Sequence, residues 1–580
     1  MTTRSLRHRT SVWLALLIGT LTTEASFATV ATGGRVVDLN GHALNQAMVT
    51  FTKDPAEPGP TAVTVFTNDE GYFAFPQIVA RGTVSAQLLG YRALEPTTRV
   101  QGGATQLRLI LRADANQAGI APASAWLSHA SADDKTLLVM TCVACHQMPA
   151  PEVRAYGKLI HDVPTKDMAD ARLQSWHAIV KYMNYLSAWE FGRGGGGGPP
   201  DPERVYSGGD AEPTAALLAR TLTGPLQELE GYQYGAPLLV TPRTVIREYE
   251  VPAPNAVREA VTLSAPSVLW AADVSSNRII RVDSTTGTLR NFDIPVDRPM
   301  GPHTLVRADD GALWATSFFN GFVARLDPKT EQFKVWRLDL GGGDMAGVHD
   351  LSFGSSHHLS TDRRGRIWYS DIVHNAVGWL DPKSGKAGIY KVPPVPGRAG
   401  GEQLYGLAMA SDRTHIWYGQ LGIGSFGSFN TETSKFETSV QMPDKHSGPR
   451  RITMSDQDIL YVPLYGAGQL VEYDTRARKM IGVYDLPDRA SAPYSVTWDP
   501  KRKVVWIPTS NANVLYRFDP RDKSFAVLPL PREGAFLRMV VVDDTTGALV
   551  TSYANIVENV HGPRMALTID LGDMPAGARR

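Results

Sequence analysis

The second half of the chain repeats itself with a period in the mid-forties. Each unit has an aromatic residue followed, always at the same spacing, by Asp or Asn; the pairs are Trp270 and Asp283, Trp314 and Asp327, Trp368 and Asp381, Trp417 and Asn430, Tyr461 and Asp474, Trp506 and Asp519. A seventh unit places Val550 at the equivalent position. A period of this length, with alternating strand patterns and D-P-x-(T/S) turns, is typical of β-propeller blades. The sequence therefore predicts a seven-bladed β-propeller over residues 244–574, with the repeat aromatics in its core.

The ends of the repeat predict how the ring closes. Most blades finish with a short strand ending in proline, such as NFDIP or IGVYDLP, and the last unit lacks one. Residues 246–252, IREYEVP, have the pattern of that strand but precede the first blade. We expect this segment to pair with the last blade.

The N-terminus predicts export. Three arginines, all before Thr10, precede the apolar run VWLALLI, and Ser26–Ala28 fits a signal-peptidase site. We interpret residues 1–28 as a signal peptide cleaved near Ala28, which predicts a periplasmic protein with no membrane span. Lys+Arg and Asp+Glu both number 58, so the zero net charge gives no support for a nucleic-acid partner.

Residues 32–113 alternate apolar and polar positions between turn dipeptides such as Asn40-Gly41 and Glu70-Gly71, which indicates an all-β segment. The order G-x-V-x-D-x-N-G, then A-x-V-x-F, then T-N-D-E-G-Y-F resembles the carboxypeptidase regulatory-like domain. That resemblance implies a small prealbumin-like β-sandwich without catalytic residues of its own, serving as a spacer or docking module.

The only two cysteines of the chain lie in the segment CVACH, as Cys142 and Cys145 followed by His146. A redox-active pair is one reading in an exported protein, and a zinc site would need two further ligands. C-x-x-C-H is also the attachment motif of c-type haem, in which both thiols form thioethers and the histidine ligates the iron. The segment resembles the c-type cytochromes, which implies one covalent haem c.

Helical patterns surround this motif between residues 114 and 240, with a Gly/Pro-rich insertion at 194–200. We therefore expect a small cytochrome c-like haem domain here. Trp176 and Met183 resemble the W-x-x-(I/V)-V-x-x-M segment of small bacterial cytochromes c, which implies Met183 as the second iron ligand. The alternatives to Met183 are Met168, His161 and His177.

The turns that enter the innermost strands of a propeller line the mouth of its channel. We expect these turns at one fixed spacing before each repeat aromatic, the spacing that separates His303 from Trp314. The blade between Trp314 and Trp368 is the longest and carries the richest loop, with imidazoles and carboxylates that can bind a metal or move a proton. We interpret Arg450 and Arg451 as solvated turn charges, with Arg450 as a possible contact for an anionic substrate. The mouth candidates are His303, His349, Asp350, His357, His358, Tyr405, Gly406, Arg450, Tyr494 and Ser495.

The units IIRVDSTTG and DGALWATS resemble the streptogramin (virginiamycin B) lyases, and the resemblance extends over nearly the whole repeat region. It implies a C–O lyase site with a divalent metal at the mouth, formed by a histidine and by a Glu further along the same blade. Here His357 and Asp371 have the spacing of that pair, with His303 in the preceding blade and His349 close by. The Glu of the family is an Asp in this chain.

The sequence thus predicts a multidomain, mainly β protein: a β-sandwich, a small α-helical haem domain and a C-terminal propeller. The first functional hypothesis is periplasmic electron transfer, or oxidation of a small molecule, with electrons passing through the haem to a soluble redox partner protein. The second is a lyase or hydrolase at the propeller mouth. The third is a non-catalytic relay and docking protein.

Overall fold

The computed structural model describes residues 32–573, with gaps at 77–79, 102, 104–105, 144–145, 163–167, 193–210, 223–225, 227, 253–256, 263–266, 299, 319, 339–346, 355–357, 399–402 and 555–563. The predicted signal peptide, the Gly/Pro-rich insertion, Cys145 and His357 lie outside the described residues. In the described part, no helix is both long and apolar enough to cross a bilayer.

The N-terminal segment forms two four-stranded sheets, in the orders β4-β1-β8-β6 and β3-β2-β5-β7. Their facing side chains make one apolar core, with Val49 and Phe51 on one sheet and Phe73 and Leu111 on the other. The strands are β1 Gly33–Val37, β2 Met48–Lys53, β3 Ala62–Phe66, β4 Tyr72–Ala74, β5 Gly82–Gln87, β6 Tyr91–Ala93, β7 Thr98–Val100 and β8 Leu107–Ala113.

Four helices follow in the described residues: α1 Ala132–Cys142, α2 Pro151–Asp162, α3 Met168–Gly192 and α4 Ala211–Thr221. The Ser131 hydroxyl accepts from the backbone N–H of Asp134 at 3.1 Å and caps the start of α1. Helix α1 ends at Cys142, the first residue of the CVACH segment. The loop between α1 and α2 therefore contains the rest of the motif.

Seven four-stranded antiparallel units follow in sequence. Blades 1 to 3 are β10 Val257–Thr262, β11 Val268–Asp273, β12 Arg278–Asp283, β13 Leu289–Asp293; β14 Pro302–Arg307, β15 Leu313–Ser317, β16 Phe322–Asp327, β17 Gln332–Arg337; and β18 Val348–Phe353, β19 Ile367–Asp371, β20 Ala376–Leu380, β21 Ala387–Lys391. Blades 4 to 6 are β22 Leu404–Met409, β23 His415–Gln420, β24 Ser425–Asn430, β25 Lys435–Gln441; β26 Thr453–Met454, β27 Ile459–Leu464, β28 Gln469–Asp474, β29 Lys479–Asp485; and β30 Thr497–Asp499, β31 Val504–Pro508, β32 Val514–Asp519, β33 Ser524–Pro529. Blade 7 is β34 Leu537–Val542, β35 Leu549–Tyr553, β36 Met565–Asp570 and β9 Val245–Glu250.

The ring is closed as the sequence predicts. The first strands of consecutive blades contact one another, and β34 of blade 7 contacts β10 of blade 1. Strand β9 pairs with β36, with Ile246 opposite Ile569, so a strand that precedes blade 1 completes blade 7. The repeat tryptophans are at most 5% exposed, which confirms them as core residues.

The outer edge of blade 7 continues into the N-terminal sheets. Strand β3 pairs antiparallel with β9, with Ala62 opposite Glu248. Blade 7 and one sheet of the N-terminal segment therefore form a single eight-stranded sheet. Because backbone ladder bonds join them, the N-terminal sheets are fixed to the propeller rather than hanging from a linker.

Candidate functional site

The pairing of the first two strands identifies equivalent positions at the channel. The residue at the repeat position of each blade, such as Trp314 in blade 2, lies on the second strand opposite a partner on the first. The partner is Val306 in blade 2, Ala408 in blade 4 and Thr497 in blade 6, and the other blades follow the same pattern. The residue three positions before this partner stands at the entrance of the innermost strand. In blades 2 to 7 these residues form what we call the mouth ring: His303, His349, Tyr405, Arg450, Tyr494 and Arg538.

Neighbouring members of the mouth ring contact one another. The ring centroids of His303 and His349 are 4.0 Å apart, and those of His349 and Tyr405 are 3.9 Å apart. The hydroxyls of Tyr405 and Tyr494 lie 2.5 Å apart. Arg538 donates from Nη1 to the Tyr494 hydroxyl at 2.7 Å. The mouth is thus lined by a continuous belt of imidazole, phenol and guanidinium groups.

One residue further along each inner strand, a second layer crosses the channel. Arg451 is 0% exposed and forms ion pairs with Glu259, through Nη1, and with Asp350, through Nε at 3.0 Å. Its Nη2 donates to the Thr304 hydroxyl at 2.8 Å. Burial raises the pKa of Asp350 from its ordinary value of 3.8 to about 7, against the opposing effect of the Arg451 charge. We call Glu259, Asp350 and Arg451 the channel triad.

These positions correct the sequence interpretation of the arginines. Arg451 is fully buried and Arg450 is 6% exposed, so neither is a solvated turn charge. Both lie just before the innermost strand of blade 5, where the sequence pattern resembles that of a surface turn. Their burial follows from the closed ring, which places the inner strand of every blade against the channel.

Counting back from the repeat aromatic by one fixed spacing finds some members of the mouth ring and misses others. It identifies His303 and Arg450, but gives Gly406 and Ser495 where the structure has their neighbours Tyr405 and Tyr494. The reason is hairpin length. The aromatic follows its partner by eight positions in blades 2 and 5 and by nine in blades 4 and 6. A slip of one residue turns a side chain to the other face.

Blade 3 departs furthest from the count. Leu351 lies opposite Tyr369, so the long insertion falls between the first two strands, and His349 rather than His357 takes the mouth-ring position. His358 is on the opposite face of the propeller, at the far end of the innermost strands. There its Nε2 lies 2.8 Å from Nη2 of Arg307 and 2.9 Å from Asp544.

Asp371 makes a different contact from the one its spacing suggests. Its Oδ2 lies 2.7 Å from Nδ1 of His374, while its Oδ1 accepts backbone N–H bonds from Val373 and His374. Asp371 is 0% exposed, and a buried carboxylate bonded to one imidazole nitrogen fixes the orientation of that ring. His374, which the sequence argument missed, is therefore the histidine that Asp371 positions.

A divalent metal at the mouth gains no support from these residues. Within the described residues, no three His, Cys, Asp or Glu side chains are placed to hold a metal ion. The two carboxylates of the channel triad are paired with Arg451. We therefore derive no metal-dependent step for this chain.

The CVACH loop packs against the face of the propeller that carries the mouth ring. The hydroxyl of Tyr465, in blade 5, donates to the backbone carbonyl of Val143, between the two cysteines. Asn511 of blade 6 accepts from the backbone N–H of Met148 at 2.7 Å and donates to its carbonyl at 3.0 Å. These buried bonds hold Val143 and Met148 against blades 5 and 6 on the face that carries the mouth ring.

Two glycines of blade 5 let α1 approach this closely. A Cβ on Gly466 would lie 2.6 Å from Cγ of Met140, and one on Gly448 would lie 2.8 Å from its Sδ. Gly448 also has a φ of +73°, which disfavours any other residue. Met140 lies in the last turn of α1, so these contacts set the position of Cys142.

The helices and the mouth share one apolar core. Leu138 and Val143 belong to the same buried cluster as Tyr465, Tyr494 and Phe536 of the propeller. The described helical residues therefore share their core with the propeller. Tyr494 belongs both to this cluster and to the mouth ring, which makes the two regions contiguous.

The structure describes two of the three haem-binding candidates of the motif, Cys142 and His146. Nδ1 of His146 lies 2.7 Å from the carbonyl of Gln147, so Nδ1–H donates to that carbonyl and fixes the ring orientation. Burial raises the pKa of the Cys142 thiol to about 12. Cys145 lies outside the described residues.

Met183 is partly buried on α3, on the helical face that carries Trp176 and Val180. Trp176 and Val180 both belong to the core shared with the mouth. Of the alternative ligands, His177 is partly buried, and the side chains of His161 and Met168 lie outside the described residues.

No protein-family model matches the chain, and no curated protein matches it. Solved structures similar to it include a streptogramin B lyase, with 19% sequence identity and a TM-score of 0.46, which covers 56% of this chain and 98% of the other. Two structures of virginiamycin B lyase from Staphylococcus aureus, one of a catalytically inactive variant with quinupristin, have 17% identity and the same TM-score and cover 56% of this chain and 99% of their own. The propeller assignment rests on the strand pairing described above and not on these similarities.

Proposed function

We propose that this chain is an exported c-type cytochrome whose helical region is fixed over the mouth of a ligand-binding propeller. In this function, a bound haem would carry electrons between a small molecule at the mouth ring and a soluble redox partner protein. The observation that carries the proposal is the bond from Tyr465 to the Val143 carbonyl, since it joins the C-x-x-C-H loop to the face where the ring lies.

The residues have distinct roles in this proposal. Cys142 and Cys145 would attach the haem, and His146 and Met183 would ligate its iron. When bound, haem c supplies a one-electron carrier. The hydrogen bond from His146 to the Gln147 carbonyl orients the imidazole, and one buried apolar core joins the helices to the mouth ring.

The test is production of the full chain, including the segment that ends at Ala28, in a host that matures c-type cytochromes. We expect a covalent haem that survives acid–acetone extraction and gives a c-type pyridine haemochrome. His146→Ala should abolish the native reduced spectrum, whereas His415→Ala, at a partly buried histidine that begins β23 in blade 4, should leave it unchanged. A wild-type chain without covalent haem would refute the proposal.

Lyase chemistry is the second candidate, favoured by the adjacent imidazoles of His303 and His349 and by the Asp371–His374 pair. Imidazoles in contact can serve as general acid and base. Turnover of a cyclic ester that is lost in His349→Ala and indifferent to haem reduction would select this candidate over electron transfer.

A further inference from the structure

The mouth ring carries an excess of positive charge. Its described members include Arg450 and Arg538 and no carboxylate, while the channel triad beneath it adds two carboxylates and one arginine. Because both of these carboxylates are paired with Arg451, the channel triad can offset at most one of the two positive charges of the ring. A cleft with one sign of charge and apolar walls concentrates ions of the opposite sign.

Arg450 is the centre of this excess. It is 6% exposed, and its Nη2 donates to the Tyr405 hydroxyl at 3.0 Å. Its guanidinium carbon lies 3.7 Å from the ring centroid of Tyr494 and 4.1 Å from that of Tyr465. Among the described residues, Arg450 forms no ion pair, and its buried Nε has no acceptor.

Arg451 provides an internal comparison. It is the next residue in the chain and is also buried, yet it has two carboxylate partners. A buried cation without a counter-ion is unfavourable, because aromatic faces and neutral hydroxyls replace its lost hydration only in part. One layer below the mouth ring, the Ser495 hydroxyl is a second buried donor without a partner in the described part of the chain.

We propose that the mouth ring binds the carboxylate of a small molecule, with Arg450 as its main contact. A carboxylate is an acceptor-only group whose two oxygens match the fork of a guanidinium. The Tyr405 and Tyr494 rings, both in contact with Arg450, suit an aromatic or aliphatic body attached to that carboxylate. Binding depends only on the ring. The role of the mouth ring as the electron-donor site rests on the proposed function. In that role, Tyr465 lies between the bound molecule and the CVACH loop.

The test uses the full chain with benzoate as probe and benzamide as the uncharged molecule of the same shape. Calorimetric titration at constant ionic strength should show binding of benzoate and none of benzamide. Arg450→Gln should weaken benzoate binding at least tenfold. Arg521→Gln, which removes the exposed arginine of an ion pair with Asp519, should leave it unchanged.

Absence of benzoate binding to the wild type, or equal binding to Arg450→Gln, would overturn the proposal. Should Arg450→Gln fail to fold, Arg450→Lys is the second variant, since lysine keeps the charge but lacks the forked guanidinium. Arg450→Lys should bind benzoate at least several-fold more weakly than the wild type. Benzoate binding by a chain without haem would uphold the site while the proposed function failed. Haem incorporation without benzoate binding would uphold the proposed function and refute the carboxylate site.

Discussion

Replacing Arg451 by Met should destabilise the propeller severely. Arg451 is the one cation of the channel triad, and Glu259 and Asp350 are both 0% exposed. Removal of one partner from a buried ion pair typically costs about 3–5 kcal/mol, because a charge remains buried without compensation. Here two carboxylates lose the same partner, so we expect a loss at the upper end of that range.

The loss should grow with pH. Burial holds the pKa of Asp350 near 7, above its ordinary 3.8, so the native protein binds more protons than the unfolded chain between these values. Stability contributed by this group is therefore present at low pH and falls as pH rises through 7, by about 1.4 kcal/mol per unit or roughly 4 kcal/mol in all. Arg451 lowers the pKa of Asp350. Without it the decline extends above pH 7, where the wild type has levelled off.

The assay is urea unfolding followed by tryptophan fluorescence at pH 6.0, 7.0 and 8.5. Arg451→Met should lose more stability at pH 8.5 than at pH 6.0, and adding Glu259→Gln and Asp350→Asn should restore most of it. Arg476→Met is the matched control, since its ion pair with Asp458 is exposed on the arginine side and should contribute under about 1 kcal/mol. A variant within about 1 kcal/mol of wild type at every pH, or a triple variant no better than the single one, would refute the reasoning.

Three further predictions concern the channel triad, the CVACH loop and Met183. Asp350→Asn removes the titrating group and should flatten the decline of stability between pH 4 and 7, measured by the same urea series; an unchanged slope would assign it to another group. Tyr465→Phe leaves the Val143 carbonyl without its donor and should cost about 1 kcal/mol in urea unfolding monitored at the haem Soret band, with a smaller effect meaning that water replaces the hydroxyl. Met183→Ala should abolish the near-infrared methionine–iron band of the oxidised protein and leave haem content intact, and a retained band would transfer the ligand role to a different residue.

The propeller could be predicted from the sequence because its signals are local and periodic. The buried tryptophans recur at one phase of each blade, and the strand Val245–Glu250 has the apolar pattern of the edge it completes. Identification of the mouth ring requires the register as well as the period. Hairpins of different lengths shift the ring by one position in blades 4 and 6 and by eight in blade 3, which no fixed spacing can follow.

The shared core could not be predicted in the same way. Val143 and Tyr465 are 322 residues apart, and Met148 and Asn511 are 363 apart. Contacts of this kind leave no periodic trace in either segment. The helical pattern correctly indicates helices, but nothing in it shows that Tyr465, Tyr494 and Phe536 supply part of their apolar core.

The shared core offers a physical reason for the C-x-x-C-H motif and the propeller to occur in one chain. A flexible tether would give a range of distances between the loop and the ring, with an effective concentration set by linker length. Here the bonds of Tyr465 and Asn511 to the loop, and the close fit of Met140 against Gly448 and Gly466, fix that distance in the folded state. Electron transfer between ring and haem would then be intramolecular, and its rate should be independent of protein concentration. Only the later step, to a soluble partner, should vary with concentration.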